Sequence, residues 1–374
     1  MYVVAIISIV VVTTYALLIF SYYSAWRKSP VYEQKKISQQ VFVSIVVAVK
    51  DEAIKIVHLI DLLTKQNYDP GQYEILIIND HSVDETKNVC SAKVSNHKNF
   101  ILIDLPNNIT GKKAAIKYGV LKARGELILT TDADCSMHAN WLSTFANFYL
   151  DRKDKLIIGP VVLEEQTGLI NRFFYFDQLS MAASTAGSAL LGKPIMCSGA
   201  NLAFEKGIYE ELWSDMANNI PSGDDMFLLM AIKKRWPKNI GFIKSVEALV
   251  TTQSENGINA YLQQRKRWVA KGKYYTDNLI IGIALLVTGL NLLILLSGIS
   301  SIFQHQIIYI FIPVFAIKFI VDTLLLKSVS KLYYKRGLRF SYILAQLVYP
   351  IYIVFIGFYG IFGSYKWKDR QYNA

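Results

Sequence analysis

The chain opens on an uninterrupted apolar run, Tyr2 to Tyr23 (YVVAIISIVVVTTYALLIFSYY), with no charged residue in it. About 20 such residues match the thickness of a bilayer core. A basic start, a short apolar core and a small-residue cleavage site would mark a removed signal peptide. None is present, so a retained anchor is expected over residues 1–23. Three more apolar segments follow late in the chain, at 278–300, 306–326 and 341–363, and together they give an expected membrane region over 278–363. Between anchor and membrane region, the pattern changes to short apolar runs ending in polar residues. VFVSIVVAV (41–49), YEILIIND (73–80), FILIDL (100–105) and ELILTTDAD (126–134) read as buried strands. Stretches 53–66 and 112–123 read as helices. Alternating strand and helix predicts a parallel sheet with right-handed crossovers, in which ligands bind at the carboxyl ends of the strands. One α/β domain is therefore expected over 41–277. Residues 168–194, rich in aromatic and small residues, fit either a buried helix or an amphipathic helix on the bilayer surface.

Composition sharpens this picture. Only 18% of the 374 residues are charged and 52% are hydrophobic, where a soluble domain carries about 25% charged residues. The net charge of +11 gathers beside the apolar segments: Arg27, Lys28, Lys35 and Lys36, then Lys327, Lys331, Lys335, Arg336 and Arg339. That placement favours anionic lipid over nucleic acid, and no zinc-finger or RNA-binding signature is present. Basic segments stay cytoplasmic, so residues 24–277 are expected inside. Four spans would then put the basic tail KWKDR (366–370) outside, unless Pro350 bends the last segment or makes it re-entrant; the sequence leaves this open. Cys90, Cys135 and Cys197 form no C-x-x-C pair, which argues for reduced thiols and against a zinc site.

The chemistry lies at the strand ends. Lys50-Asp51-Glu52 follows the first strand, Asp80 ends the second, and Asp132-x-Asp134 ends the fourth. Carboxylates gathered on one rim repel, and a bound cation with a polar ligand would account for them. Oxygen ligands suit a hard divalent ion such as Mg²⁺ or Mn²⁺. Gly111-Lys112-Lys113 opens a helix, a setting that suits phosphate, while the absence of GxxxxGK[ST] excludes a P-loop. Further on stand Cys197-Ser198-Gly199-Ala200-Asn201, Ser222-Gly223-Asp224-Asp225 and Gln264-Arg265-Lys266-Arg267-Trp268.

In order and spacing, Asp80, Asp132-x-Asp134, Asp225 and Gln264-x-x-Arg267-Trp268 make the chain resemble the family 2 glycosyltransferases over about residues 41–270. This is the inverting group that includes cellulose and hyaluronan synthases and ceramide glucosyltransferase. The resemblance implies an α/β GT-A fold, a nucleotide-diphospho-sugar transferase domain with a Rossmann-like mixed sheet, joined here to transmembrane helices. It implies that Ala48, Lys50, Glu52, Asp80 and Lys112 contact the donor, with Asp132 and Asp134 on donor and divalent metal. Gly199, Ala200 and Asn201 would shape the acceptor side, and Asp225 would be the general base. Gln264, Arg267 and Trp268 would cover the diphosphate and the acceptor mouth. Ala48 stands where the family has Pro, Asp51 where it has Asn and Asp224 where it has Glu, so the base lies between Asp224 and Asp225. The expected partners are a nucleotide-diphosphate sugar (UDP by resemblance, GDP as the alternative), a membrane lipid or lipid-linked acceptor, and the bilayer. The expected setting is an integral protein of a bacterial inner membrane. A processive polysaccharide synthase and a non-catalytic nucleotide-sugar sensor or scaffold are the competing readings.

Overall fold

A computed structural model describes residues 2–35, 39–164, 167–216, 220, 223–255, 257–334, 341–361, 364–367 and 370–373, with side chains as far as 360. Lys36, Ser222, Lys335, Arg336 and Arg339 lie outside the described residues. In chain order the elements are α1 (Tyr2–Lys28), β1 (Val43–Val49), α2 (Ala53–Leu63), β2 (Tyr73–Asn79), α3 (Thr86–Val94), β3 (Phe100–Asp104), α4 (Lys112–Lys122) and β4 (Leu127–Thr130). Then come β5 (Cys135–Met137), α5 (Trp141–Arg152), β6 (Leu156–Ile158), β7 (Val161–Leu163), α6 (Leu169–Leu190), β8 (Leu202–Glu205), α7 (Lys206–Leu212) and α8 (Asp224–Arg235). There follow β9 (Ile240–Phe242), β10 (Val250–Thr252), α9 (Ile258–Ala270), α10 (Asn278–Phe303), α11 (Ile308–Tyr333), α12 (Ser341–Ile361) and a pair of antiparallel strands, β11 (Ser364–Trp367) and β12 (Arg370–Asn373). The chain divides into two compact units.

One unit, Pro30–Glu164 with Gly192–Gln253, is the α/β domain. Its main sheet among the described residues runs β3-β2-β1-β4-β8-β6-β9. The strands β3, β2, β1 and β4 are mutually parallel, as the pattern predicts. β8 enters antiparallel beside β4, with Thr130 opposite Leu202. The sheet is therefore mixed. β1 is Val-Ser-Ile-Val-Val-Ala-Val, and β-branched residues favour a pleated surface covered on both faces. Val43, Ile45, Val47, Ile56, Leu59, Ile75 and Leu129 join one core with Trp141 and Phe145 of α5. A small sheet, β5-β10-β7, lies apart from the main one. The fourth expected strand is shorter than 126–134. It stops at Thr130, and the chain turns through Asp132 before β5.

The other unit, Met1–Ser29, Glu165–Leu191 and Ser254–Ala374, gathers the apolar helices. Among the described residues, four helices are long and apolar enough to cross a membrane: Tyr2–Lys28, Asn278–Phe303, His305–Tyr333 and Ser341–Gly360. Pro350 sits inside α12, which runs on as one helix rather than turning back. The segment that the sequence left open is α6. It buries Phe174, Phe176, Leu179 and a run of small residues from Ala182 to Ala189, and it belongs to this unit. A Cβ on Gly187 would come within 2.4 Å of the Tyr22 Cβ, so α6 and α1 meet with nothing between them. Small residues are what allow helices of an apolar bundle to approach this closely. α9, which carries Gln264 to Trp268, also belongs to this unit. Within the bundle, Lys318 bonds Asp322 at 2.7 Å and Gln346 at 2.9 Å, and the Tyr15 hydroxyl donates to Asp322 at 2.7 Å.

Candidate active site

The parallel strands β1, β2 and β4 end on the same rim of the sheet, and each ends in charge. Lys50 donates to the carbonyl of His81 at 3.2 Å and pairs with Asp51 at 3.6 Å. Asp51 has a φ of 52° and His81 one of 55°. Such left-handed backbone is uncommon outside glycine and clusters at functional sites. Two loops share the work of holding these conformations. The Ser82 hydroxyl accepts from the Asp51 N–H (3.1 Å), Thr86 from Glu52 (2.8 Å), Asp84 from Ala53 (3.2 Å), and Asp51 in turn accepts from Val83 (2.8 Å). The β1–α2 and β2–α3 loops are thus tied together, which fixes Glu52 beside the end of β2. Ala48 is the penultimate residue of β1, opposite Ile78 of β2.

Asp80 is buried, and its Oδ2 accepts the Gly111 N–H at 3.0 Å. Gly111, at φ 102°, turns the chain into α4 and so delivers Lys112 to the rim. Lys112 Nζ lies 2.5 Å from Asp132 Oδ1. Burial works against this ammonium, but Asp132, Asp224 and Asp225 outweigh it and hold Lys112 firmly charged. The helix-opening lysine, the first aspartate of D-x-D and the aspartate pair of α8 are therefore neighbours. For Asp134, burial pushes the carboxyl up and the adjacent Asp132 adds to that, opposed by Lys55 and Lys112.

Asp132 is paired with Lys112, while burial and the neighbouring Asp132 work against charge on Asp134. Among the described residues no cluster of three or more His, Cys, Asp or Glu is arranged to ligate an ion. Asp132 and Asp134 alone suit an ion of the Mg²⁺ or Mn²⁺ type, which keeps waters and takes its remaining oxygens from substrate phosphates. The donor set fits that use and does not fit a closed structural site.

β8 runs antiparallel to β4, so its beginning meets the end of β4. That brings Gly199 to the rim, where its N–H donates to Asp225 Oδ2 at 3.1 Å. Gly223, at φ 92°, starts α8, and Asp224 and Asp225 fill the first turn, where the positive helix end favours carboxylates. Asn201 is fully buried and spent on the scaffold. It accepts from the Trp141 indole (2.9 Å) and donates to the carbonyls of Pro160 and Ala248 (both 2.8 Å). Its side chain ties the start of β8 to Trp141, Pro160 and Ala248, and its backbone N–H donates to the Ser198 carbonyl at 3.0 Å.

Asp224 has two further neighbours, Lys113 of the Gly111-Lys112-Lys113 motif and Tyr209, which lies in no motif. Lys113, buried, lies 5.7 Å from the Trp213 ring centroid and 5.1 Å from that of Phe227. Burial pushes its ammonium down to about 8, with Asp224 resisting. The Tyr209 hydroxyl is buried without a hydrogen-bond partner, and burial followed by the Asp224 charge pushes it well up. Only the spacing of Tyr209 and Trp213 along one helical face hints at them in the sequence. Gln264, Arg267 and Trp268 belong to the helical unit, where the Gln264 amide donates to Glu255 at 2.8 Å.

Residues 44–213 match the model of the glycosyl transferase family 2 domain. Over this stretch the chain is similar to glycosyl transferase family 2. The family 2 domain is 30% identical over 145 residues to a dolichyl-phosphate beta-glucosyltransferase of Trichomonas vaginalis, covering 36% of this chain and 44% of that protein. A glycosyltransferase of Haloferax volcanii is 25% identical over 187 residues, 50% of this chain and 59% of its own. A beta-monoglucosyldiacylglycerol synthase of a Nostoc strain is 33% identical over 115 residues, 30% of this chain and 25% of its own. The chain spans about half the length, or less, of these curated relatives. Among solved structures, a mannosyltransferase from Pyrobaculum calidifontis, in complex with GDP-Man and Mn²⁺, matches with a TM-score of 0.55 at 16% identity, over 96% of both chains. That likeness establishes the GT-A fold.

Proposed function

We propose that the protein is an inverting glycosyltransferase that moves a sugar from a nucleotide-diphosphate donor to a membrane lipid or lipid-linked acceptor. The observation that carries this reading is the meeting of Lys112, Asp132, Asp224 and Asp225 at the rim, beside Asp134 and the Gly199 loop. In a single displacement, the acceptor hydroxyl oxygen attacks the anomeric carbon. Its proton passes to a carboxylate as the bond from that carbon to the diphosphate oxygen breaks. Asp225 is the base in this scheme. One of its oxygens is oriented by the Gly199 N–H at the loop assigned to the acceptor; both aspartates act on Lys112, and Asp224 acts also on Lys113 and Tyr209. Lys112 supplies fixed positive charge for the diphosphate. A divalent ion on Asp132 and Asp134, when bound, would add electrostatic stabilisation of the departing diphosphate. Glu52 and Asp80 are assigned to the nucleoside, and Gln264, Arg267 and Trp268 to the diphosphate and the acceptor, as the motif implies.

The lipid acceptor is supported by four helices of spanning length and by two relatives whose names specify dolichyl phosphate and a glucosyldiacylglycerol. The solved mannosyltransferase holds GDP-Man and Mn²⁺, so GDP-sugars belong in the test beside UDP-sugars. Cytoplasmic placement of the family 2 domain is part of this proposal and is supported by Arg27, Lys28, Lys327 and Lys331 beside the spans. The deciding experiment is a transfer assay on purified protein with a panel of both donor types, Mg²⁺ or Mn²⁺, and a total lipid extract, read by mass spectrometry. One sugar added to one lipid is expected. A ladder of repeating sugars would turn the reading to a polysaccharide synthase. No transfer from any donor would overturn it.

A further inference from the structure

A buried ionic hub in the helical unit serves no role in the scheme above. Asp177 of α6 accepts from two other helices, α9 and α12. Its Oδ2 pairs with Arg265 of α9 at 2.8 Å and takes the hydroxyls of Tyr261 and, at 3.2 Å, Tyr352 of α12. Its Oδ1 takes Tyr349 at 3.2 Å. The Asp177 and Arg265 side chains are only 4% and 5% exposed. Such a pair costs desolvation on both partners, and hydrophobic residues of similar volume would commonly hold the helices as well. Its geometry gives it a second use. Arg265 spends one end on Asp177, Gln178 (3.2 Å) and the Met181 sulfur (3.0 Å), while its Nε has no hydrogen-bond partner. The guanidinium carbon instead lies over two rings, 4.8 Å from the Tyr261 centroid and 4.2 Å from that of Trp268. Tyr261 is itself fixed by face-to-face stacking on Phe174, with centroids 3.6 Å apart. Asp177 and Tyr261 are thus held by other groups as well, whereas the indole of Trp268 is partly exposed.

We propose that Asp177 and Arg265 are positioning residues for Trp268: the carboxylate of α6 fixes the guanidinium plane, and the plane fixes the orientation of the indole. A cation over a π-face is strongest when both are desolvated, and guanidinium adds stacking that an ammonium does not. The proposal rests on the proposed function in so far as Trp268 meets substrate there. It assigns the orientation of that indole to a residue 91 positions earlier in the chain.

The test uses the full-length protein in lipid nanodiscs, with Asp177→Asn, Arg265→Lys and the double variant Asp177→Asn/Arg265→Gln. Each is made with and without Trp268→Phe, so that the near-ultraviolet circular dichroism of Trp268 is obtained by difference. Asp177→Asn leaves a buried cation unpaired and lowers the thermal midpoint. The double variant removes both charges and recovers most of it. The Trp268 signal is expected to stay collapsed in both, with kcat/KM for transfer down by about tenfold or more. Arg265→Lys keeps the ion pair and the fold but not the stacked plane, and is expected to lose the Trp268 signal too. A wild-type Trp268 signal in Arg265→Lys, or recovery of signal and activity together with stability in the double variant, would reduce the hub to a brace and overturn the proposal. If the unmutated protein transfers no sugar, the functional reading fails, and the Trp268 signal still decides the positioning.

Discussion

At the residue scale, two adjacent aspartates at the start of one helix have different surroundings and should behave differently. Asp225→Asn is expected to lower kcat by about 10²–10⁴-fold with donor affinity unchanged, while Asp224→Asn mainly disturbs Lys112 and Lys113. Steady-state kinetics paired with calorimetric donor titration separates the two, and the reverse pattern would move the base to Asp224. Asp134→Ala should abolish the enhancement of donor binding by Mn²⁺, and calorimetry with and without the ion reads this directly. Lys113 gives a pH signature. Its ammonium falls from 10.5 to about 8 on folding, so between those values the unfolded chain holds more protons than the folded one, and stability rises with pH. Lys113→Met removes this dependence. Its advantage over the natural protein should be about 3 kcal/mol greater below pH 8 than above pH 10.5, as read from denaturant unfolding at both ends.

At the scale of elements, the strand ends were open to a reader of the sequence because buried parallel strands are nearly all apolar. Each stops where the side chains turn polar, as at Lys50, Asp80 and Asp132. The direction of β8 was not open. Leu202–Glu205 has four residues, too few to show whether it runs with or against β4, yet its antiparallel course is what brings Gly199 to Asp225. The work of the Asn201 side chain was not open either, for a related reason. A polar residue in a motif near a site looks like a ligand-facing group, and only the surrounding carbonyls of Pro160 and Ala248 reveal that it holds the scaffold. The start of α8 depends on backbone that only glycine adopts freely. Gly223→Ala should cost about 1–2 kcal/mol and reduce kcat more than donor affinity, because Asp225 rides on that first turn. Gly223→Asn, which tolerates left-handed backbone better, should recover part of both. Equal kinetics for Ala and Asn would separate Asp225 placement from the φ of Gly223.

At the scale of the whole molecule, the sequence showed four apolar segments but not the polar groups that hold them. Lys318 and Asp322 lie one turn apart on α11, buried, with Tyr15 of α1 and Gln346 of α12 completing their bonds. Removing one partner of such a pair leaves an unpaired charge. Lys318→Met should destabilise by about 3–5 kcal/mol, whereas Lys318→Met/Asp322→Leu should be close to neutral. Thermal unfolding in nanodiscs would rank them, and equal losses for single and double variants would show that the two charges act independently.

The order of segments along the chain has a further consequence. The helical unit claims residues before, within and after the α/β unit, so the ribosome delivers the parts of each alternately. β8, α8 and β9 emerge only after α6 has been made, and the sheet stays open at β4 until then. Meanwhile α6 waits for α11 and α12, which are still unsynthesised. Cutting the gene to residues 30–253, the obvious route to a soluble family 2 domain, would yield α6 stripped of its companions, with Phe174, Phe176 and Leu179 bare. Such a fragment should be recovered in inclusion bodies. Replacing 165–191 by a short polar bridge is the change that should bring it into solution.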